Sequence, residues 1–526
     1  MKVLVSDSLS EQGIVILKKG GLQVDVNTKL TPAQLIEEIG QYDGLVIRSG
    51  TKVTKEVIAA AKNLKVIGRA GSGLDNVDLP AATKRGIVVM NTPGGNTITT
   101  AEHTFALIFS MARQTPQANA SVKSGKWEKN KFMGVELFNK TIGIIGLGQI
   151  GSWVARLAQG AGMIVIGHDA FLSTENAQKI GVEMVDLATL YARADIITVH
   201  TPMTAETKHL INAEAIEKMK NGVRLVNCAR GGIIDEAALL PALTSGKVAA
   251  CASDVFEKEP VDPNHPLLKM DNFICTPHLG ASTLEAQDNV ALAIADQVVD
   301  YLVHGIVRYA VNLPSISLDL KDKVAPYVLL AEKIGSFIGQ TIEGGIETIH
   351  IEYHGEAAEM TSAPMNVAAL KGLLAPMLEE TVNYVNAPAI AKERGILVNE
   401  VKTADAGNFS SLLTMKVKTA SGQKVVSGAV FHKTEPRFVE IDGMALEIIP
   451  EGNMLYIHNN DKQGVIGDLG HLLAKNQINI SRMQLGREKT GGLAVSVVGT
   501  DIAASESVIK EIRAIPHILS VKPVCL

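Results

Sequence analysis

The sequence predicts a multidomain α/β protein with two doubly wound parallel-sheet units, an α+β module and a terminal βαββαβ unit. Three observations carry this. Short apolar runs alternate with helix-forming stretches over the first 280 or so residues, a glycine-rich string sits between an apolar run and an amphipathic one, and the last seventy or so residues change to strand, helix, strand, strand, helix, strand. The first unit rests on KVLVSD, GLVIRS, KVIGRAGSG and IVVMNTPG, each separated by helical sequence. A long helical segment from about Thr99, with Phe105, Ile108, Phe109 and Ala112, leads through a polar loop containing Trp127 into a second series. Its runs are TIGIIG (141–146), MIVIGHD (163–169), DIITVH (195–200), VRLVNCAR (223–230), VAACASD (248–254) and NFICTPH (272–278), which suit strands buried on both faces.

A helical stretch from Ser282 to about Val303 is expected to return the chain to the first unit, and Pro314 suggests a boundary. The expected units are 1–98 with 284–315, 99–283, 316–451 and 452–526. Residues 317–450 mix helix and strand patterns without a chemical motif and read as an independent module. The terminal unit reads as strand 454–458, helix 467–475, two strands of which the second is 492–498, helix 505–514 and strand 518–524.

At 526 residues, with 46% hydrophobic and 20% charged, the chain exceeds a single core. A net charge of -5 and a pI near 6.3 provide no basic footprint for nucleic acid, so a small molecule is the expected partner. No apolar run approaches the roughly 20 residues of a membrane span. The opening MKVLVSDSLS reads as strand and turn, which points to a cytoplasmic protein. Cys228, Cys251, Cys275 and Cys525 lack C-x-x-C spacing, and the first three read as buried core thiols. No metal is expected.

Gly146-Leu147-Gly148-Gln149-Ile150-Gly151 follows an apolar strand and opens a helix through Trp153, Val154 and Leu157. There the first glycine permits the turn, the second admits a pyrophosphate and the third lets helix and strand pack, which makes this a Rossmann-like unit. Asp169, 18 residues after Gly151, stands where a carboxylate binds the adenosine ribose and repels a 2′-phosphate, so NAD is the expected cofactor. Ligands of such sheets lie beyond the carboxyl ends of the strands. The residues there are Gly146, Asp169, His200-Thr201-Pro202, Asn227-Cys228-Ala229-Arg230, Ser253-Asp254 and Pro277-His278.

Hydride transfer to a nicotinamide needs a base for the hydroxyl proton, a group that tunes it and a cation for a substrate carboxylate. His278, Glu259 and Arg230 fill those roles, because imidazole titrates near neutrality and a guanidinium presents a planar set of donors. Singly, each also reads as a packed histidine, a loop charge or a surface ion pair. Their joint placement beside a dinucleotide site favours the catalytic set.

These residues stand in long specific strings: GRAGSGLDNVD (68–78), NTPGGNT (91–97), GLGQIG (146–151), VHTPMTAET (199–207), NCARGGIIDE (227–236), DVFEKEP (254–260) and TPHLGAST (276–283). On them the chain resembles the D-2-hydroxyacid dehydrogenase family, and within it the long members that act on phosphoglycerate. The resemblance covers about the first 315 residues and the last 75. It implies Arg230, Glu259 and His278 as the catalytic set. It also implies NAD contacts at Gln149, Ile150, Asp169, Thr201, Thr207, Cys228, Arg230, Asp254 and His278, with Pro202, Ala229, Gly280 and Ala281 alongside. Arg48, Ser49, Arg69, Gly71 and Asn96 match positions that hold a phosphorylated acid, Arg48 being the phosphate candidate, and Lys129 and Lys131 stand where a neighbouring subunit's site is reached. His103 reads as a packed or capping residue.

The implied reaction is oxidation of D-3-phosphoglycerate to 3-phosphohydroxypyruvate, the first step of phosphorylated serine synthesis, with closure about hinges near 96–100 and 282–284 in a homodimer or homotetramer. The terminal unit resembles an ACT domain. That implies an effector, L-serine, with His458, Asn459, Asn460, Asp461 and Asn479 as its candidates, although Gln463 replaces the family's usual proline. Two other readings are a dehydrogenase for an unphosphorylated acid such as glycerate or lactate, against which Arg48 and the terminal unit argue, and an NAD-sensing corepressor-type scaffold, which has no need of the complete catalytic set.

Overall fold

The apolar runs assemble into four sheets in a computed structural model that describes residues 1–314, 321–378 and 381–526; the expected boundary at 315/316 lies outside the described residues. In the first unit β1 (Lys2–Val5), β2 (Gln23–Val26), β3 (Gly44–Ile47), β4 (Val66–Arg69) and β5 (Val88–Met90) form a parallel sheet in the order β2-β1-β3-β4-β5. The apolar pattern does not reveal β2, because this edge strand buries none of its four residues fully. Helix Leu284–His304, capped by the Thr283 side chain, lays Val290, Ile294, Ala295 and Val298 against Val3, Val5, Val46, Val66 and Val88. The chain thus returns to its first sheet.

The second sheet contains β6 (Thr141–Ile145), β7 (Ile164–His168), β8 (Glu183–Met184), β9 (Ile196–Val199), β10 (Val223–Asn227), β11 (Val248–Ser253) and β12 (Phe273–Cys275) in the order β12-β11-β10-β9-β6-β7-β8, all parallel. Strand order reverses between β6 and β9, which opens the crevice where a dinucleotide lies. One expectation needs correction: Cys275 is exposed, whereas Cys228 and Cys251 are buried. Cys275 ends the short outermost strand, which has a neighbour on one side only.

The third sheet comprises β13 (Ile346–Gly355), β14 (Leu397–Thr403), β15 (Ser411–Thr419), β16 (Gly422–Phe431), β17 (Glu435–Ile441) and β18 (Met444–Ile448), in the order β14-β13-β15-β16-β17-β18. Helices Lys321–Thr341 and Ala363–Leu374 pack together closely, since a Cβ on Gly335 would lie 2.2 Å from the Ala369 carbonyl oxygen. The terminal strands β19 (Asn453–Asn460), β20 (Ile480–Arg487), β21 (Leu493–Thr500) and β22 (Ile518–Cys525) form an antiparallel sheet in the order β20-β21-β19-β22.

Side chains alternate across β19, and both of its faces are apolar. Leu455 and Ile457 meet the unit's own helices, Val465–Lys475 and Glu506–Arg513. Met454 and Tyr456, with Val495, Val497 and Val524, complete the core of the preceding module, and the Tyr456 ring lies 5.0 Å from that of Phe337. The module read as independent therefore shares its core with the terminal sheet. No helix among the described residues is long and apolar enough to cross a membrane.

Candidate active site

The glycine loop joins β6 to helix Gln149–Gly160. Gly146 has φ +91, and a Cβ there would lie 2.7 Å from the His200 carbonyl oxygen. A Cβ on Gly151 would lie 1.9 Å from the Gly146 carbonyl oxygen, whereas Gly148, which precedes the helix, has nothing within 4 Å. Two glycines thus serve close packing, and the middle one keeps open the approach to the helix amides that a pyrophosphate needs. The Asp169 carboxylate accepts hydrogen bonds from the amides of Leu147, Phe171 and Leu172. Burial pushes its pKa up, but those amides outweigh burial and hold it below the usual carboxylate value. The Thr201 hydroxyl is buried without a hydrogen-bond partner beside Gly146, and Thr207 closes its loop onto the Pro202 carbonyl at 2.6 Å. The residues fit NAD.

On the opposite wall, His278 Nδ1 lies 2.7 Å from Glu259 Oε2, and the other carboxylate oxygen accepts from the Phe256 amide at 3.1 Å. The hydrogen bond to Glu259 raises the His278 pKa against the opposing effect of burial. Burial also acts on Glu259, but the His278 and Phe256 donors prevail and keep it ionised. Because Nδ1 faces Glu259, Nε2 is left to exchange a proton with a substrate. His278 itself has φ +56.

Arg230 leaves β10 on a turn clamped by Asn227, whose side chain donates to the Arg230 carbonyl and accepts from the Ala229 amide. Its Nε lies 3.1 Å from Asp75 of the first unit, the only ion pair across the cleft among the described residues. Arg48 and Arg69 project from the ends of β3 and β4. Burial lowers the Arg69 pKa, with Arg230 and Arg48 adding repulsion and Asp75 opposing it, and Arg69 Nε is buried without a hydrogen bond. A Cβ would lie 2.3 Å from the Arg69 guanidinium at Gly71 and 2.2 Å from that of Arg230 at Gly73, so both glycines make room for arginines. Three guanidiniums beside the His278–Glu259 pair suit a substrate with more than one negative charge.

Comparison with known proteins agrees with this geometry. Residues 105–280 match the D-isomer specific 2-hydroxyacid dehydrogenase NAD binding domain, residues 323–442 the D-3-phosphoglycerate dehydrogenase intervening domain and residues 453–517 the ACT domain. The D-3-phosphoglycerate dehydrogenase of Archaeoglobus fulgidus is 46% identical over 99% of both chains, and that of Bacillus subtilis is 44% identical over 99% of both. The chain belongs to the D-3-phosphoglycerate dehydrogenase family. Among solved structures, the D-lactate dehydrogenase of Aquifex aeolicus complexed with NAD and lactic acid is 28% identical, with a TM-score of 0.53 over 60% of this chain and all of that one. As a member of this family, the protein is an NAD-dependent oxidoreductase.

Several groups around this dehydrogenase's site were not singled out by sequence reasoning. Asp7 and Asn76 hold the Arg48 turn, Asp7 by accepting from the amides of Arg48 and Thr51 and Asn76 by donating to their carbonyls. Asp75 and Gly73 lie within the 68–78 string, which was the available signal. Asn96 accepts from Ser72 and donates to Thr100, while Gln149 accepts from Thr97, so both contacts stitch the start of helix Thr97–Arg113 into the cleft. Cys228 is buried beside Thr104, with its thiol pKa pushed up to about 12, which makes it a wall and not a nucleophile. Gly280 is buried in the turn after His278, next to the half-buried Ala281, and Ser49 is exposed beside Arg48. Lys129 and Lys131 lie on an exposed turn two residues beyond the exposed Trp127.

The effector candidates separate. Asn460 ends β19 opposite Leu493, and Asp461 follows it with its amide on the Gly492 carbonyl and its carboxylate accepting from Arg487 and from the Gly491 amide. Asn459 is buried and accepts from Ser496. Asn479 donates to Asp501 at the other end of the sheet, about 23 Å away at 3.3 Å per residue over the seven steps of β19. His458 points into the core shared with the intervening module, 2.6 Å from the Tyr456 hydroxyl, which in turn meets Lys424 and Asp442.

Proposed function

We propose that this dehydrogenase works in the cytoplasm and oxidises D-3-phosphoglycerate, the acid that its relatives' names carry, to 3-phosphohydroxypyruvate. The observation that carries the reading is the convergence of Arg48, Arg69 and Arg230 on the cleft beside His278 and Glu259. NAD, when bound through the glycine loop and Asp169, supplies the nicotinamide that accepts hydride. Arg230 holds the substrate carboxylate and polarises the neighbouring C–O bond, and Arg48 with Arg69 takes the phosphate. His278 Nε2 removes the hydroxyl proton, and the Glu259 carboxylate stabilises the resulting imidazolium. Closure of the two sheets, about 96–100 and 282–284, excludes water.

The chain acts as a homo-oligomer, a reading supported by the exposure of Trp127 (85%) and Met133 (79%) in the segment between helix Thr115–Lys123 and β6. L-Serine is its effector, bound where Asn460 and Asp461 of one terminal domain meet Asn479 of a second copy. Within one chain these residues lie at opposite ends of the sheet. The test is NADH oxidation with 3-phosphohydroxypyruvate against hydroxypyruvate, with and without L-serine. A strong preference for the phosphorylated acid supports the assignment. Equal rates overturn the phosphate role of Arg48, and insensitivity to serine overturns the effector.

A further inference from the structure

The Asp254 carboxylate is 1% exposed, and every hydrogen bond it makes is one that it accepts. Oδ1 takes the Thr276 hydroxyl at 2.5 Å and the Leu279 amide at 2.7 Å, and Oδ2 takes the Gly280 amide at 2.8 Å. The Asp254 backbone carbonyl takes the His278 amide at 2.9 Å. The catalytic histidine, in the left-handed region at φ +56, is therefore held on both sides by one residue. The remaining contact to the carboxylate comes from outside this segment: His103 Nε2 lies 3.2 Å from Oδ1 and 3.1 Å from the Thr276 hydroxyl oxygen. An ionised carboxylate only accepts, and the Thr276 proton is directed at Asp254, so Nε2 carries the proton of His103.

His103 stands one turn beyond Thr100 on helix Thr97–Arg113, where the chain passes between the first two sheets. Thr100 donates to the Gly280 carbonyl at 2.8 Å, and the hydroxyls of Thr99 and Thr283 lie 3.3 Å apart. The first turns of this helix thus grip the 276–283 segment at three places. We infer that His103 is a positioning residue: through Asp254 it fixes the turn that presents His278 to Glu259 and ties that turn to the helix leaving the proposed hinge. This rests on the reading of His278 as the proton carrier. Glu259, Asp254 and Arg230 are the charged groups that face His278, and their alignment with it depends on that turn.

Full-length His103→Phe, His103→Asn and His103→Gln test the inference through NADH-dependent reduction of 3-phosphohydroxypyruvate across pH, with NADH binding followed by fluorescence. Gln places an amide N–H near the Nε2 position, whereas Asn places one near Nδ1. His103→Phe and His103→Asn are expected to lower kcat about 10- to 100-fold, with NADH affinity within about threefold of wild type. The high-pH limb of the reduction profile should move to lower pH as His278 loses its alignment with Glu259, and His103→Gln should restore both rate and limb. Wild-type kcat and limb in His103→Phe, or equal impairment in His103→Gln, overturns the inference. If the Phe variant does not fold, the Asn and Gln pair carries the same comparison. A wild-type enzyme without a high-pH limb, or a His278→Asn variant with wild-type rate, overturns instead the reading on which this rests, and shows before any His103 variant is made.

Discussion

The front and back halves of this chain join their parts differently. Among the described residues the first two sheets share no apolar core: one set of clusters runs from Val3 to Met90 with the 290–302 helix face, the other from Ala101 to Ile274. Across the cleft stand Arg230 with Asp75, Arg48, Arg69 and the His278–Glu259 pair. In the back half the third and fourth sheets close on one core, with Phe337 between Phe438 and Tyr456. Polar contacts exchange for water at small net cost, whereas separating an apolar core exposes all of its area. On this basis the back half is the harder to separate, and the proposed closure belongs to the front half. The halves meet where Val385 buries itself in the first unit's core and Asn383 donates to the Gly86 carbonyl.

The largest effect should separate chemistry from binding. His278→Asn is expected to lower kcat by about 10²- to 10⁴-fold, the usual worth of a positioned acid–base group, while NADH still binds in fluorescence titration. Next in size, Phe337→Ala should cost about 3–5 kcal/mol, the usual penalty for a large core aromatic, and by calorimetry should lower the unfolding of the third and fourth sheets together. Two separate transitions in that variant would break the contrast between the halves. Arg48→Gln removes charge-assisted hydrogen bonds worth about 1.5–3 kcal/mol, so KM for the phosphorylated acid should rise roughly 10- to 100-fold while that for hydroxypyruvate stays close to wild type.

Glu259→Gln should have the smallest effect, about tenfold in kcat, and a signature in pH. Reduction needs protonated His278 and is lost as pH rises through its elevated pKa, whereas oxidation needs the neutral ring and appears over the same range. Without Glu259 that pKa falls, and both limbs should move to lower pH. Stability follows the same sign. The His278 contribution is present below the ordinary imidazole pKa and lost as pH rises through the raised one. The Glu259 contribution is present above the ordinary carboxylate pKa and lost as pH falls through the lowered one. The wild-type advantage over Glu259→Gln in thermal unfolding should therefore shrink at both ends of the pH scale.

Much of the site is legible in the chain because strand ends carry it. Arg230, Asp254 and His278 lie within three residues of the ends of three parallel strands, and that position alone marks them. Their partners are harder to see. Asp75 lies 155 positions from Arg230 and His103 lies 151 from Asp254, and neither residue type nor spacing joins them. His103 reads as a packed or capping residue, and its ring lies 3.2 Å from the buried Asp254 carboxylate. His458, read as an effector contact, shares its face of β19 with Tyr456 and turns toward the intervening module.

By itself the sequence determined whatever depends on neighbours along the chain: the strand–glycine–helix junction, Asp169 at the next strand end, the parallel order implied by alternating elements and the βαββαβ run. These are set by local backbone sterics and hydrophobic period, which adjacent residues encode. The tertiary structure decided which charge faces which across the cleft, which face of the terminal sheet is covered and by what, and that two modules share one core. Such outcomes depend on how burial, charge and hydrogen-bond satisfaction balance among residues hundreds of positions apart, and no local pattern records that balance.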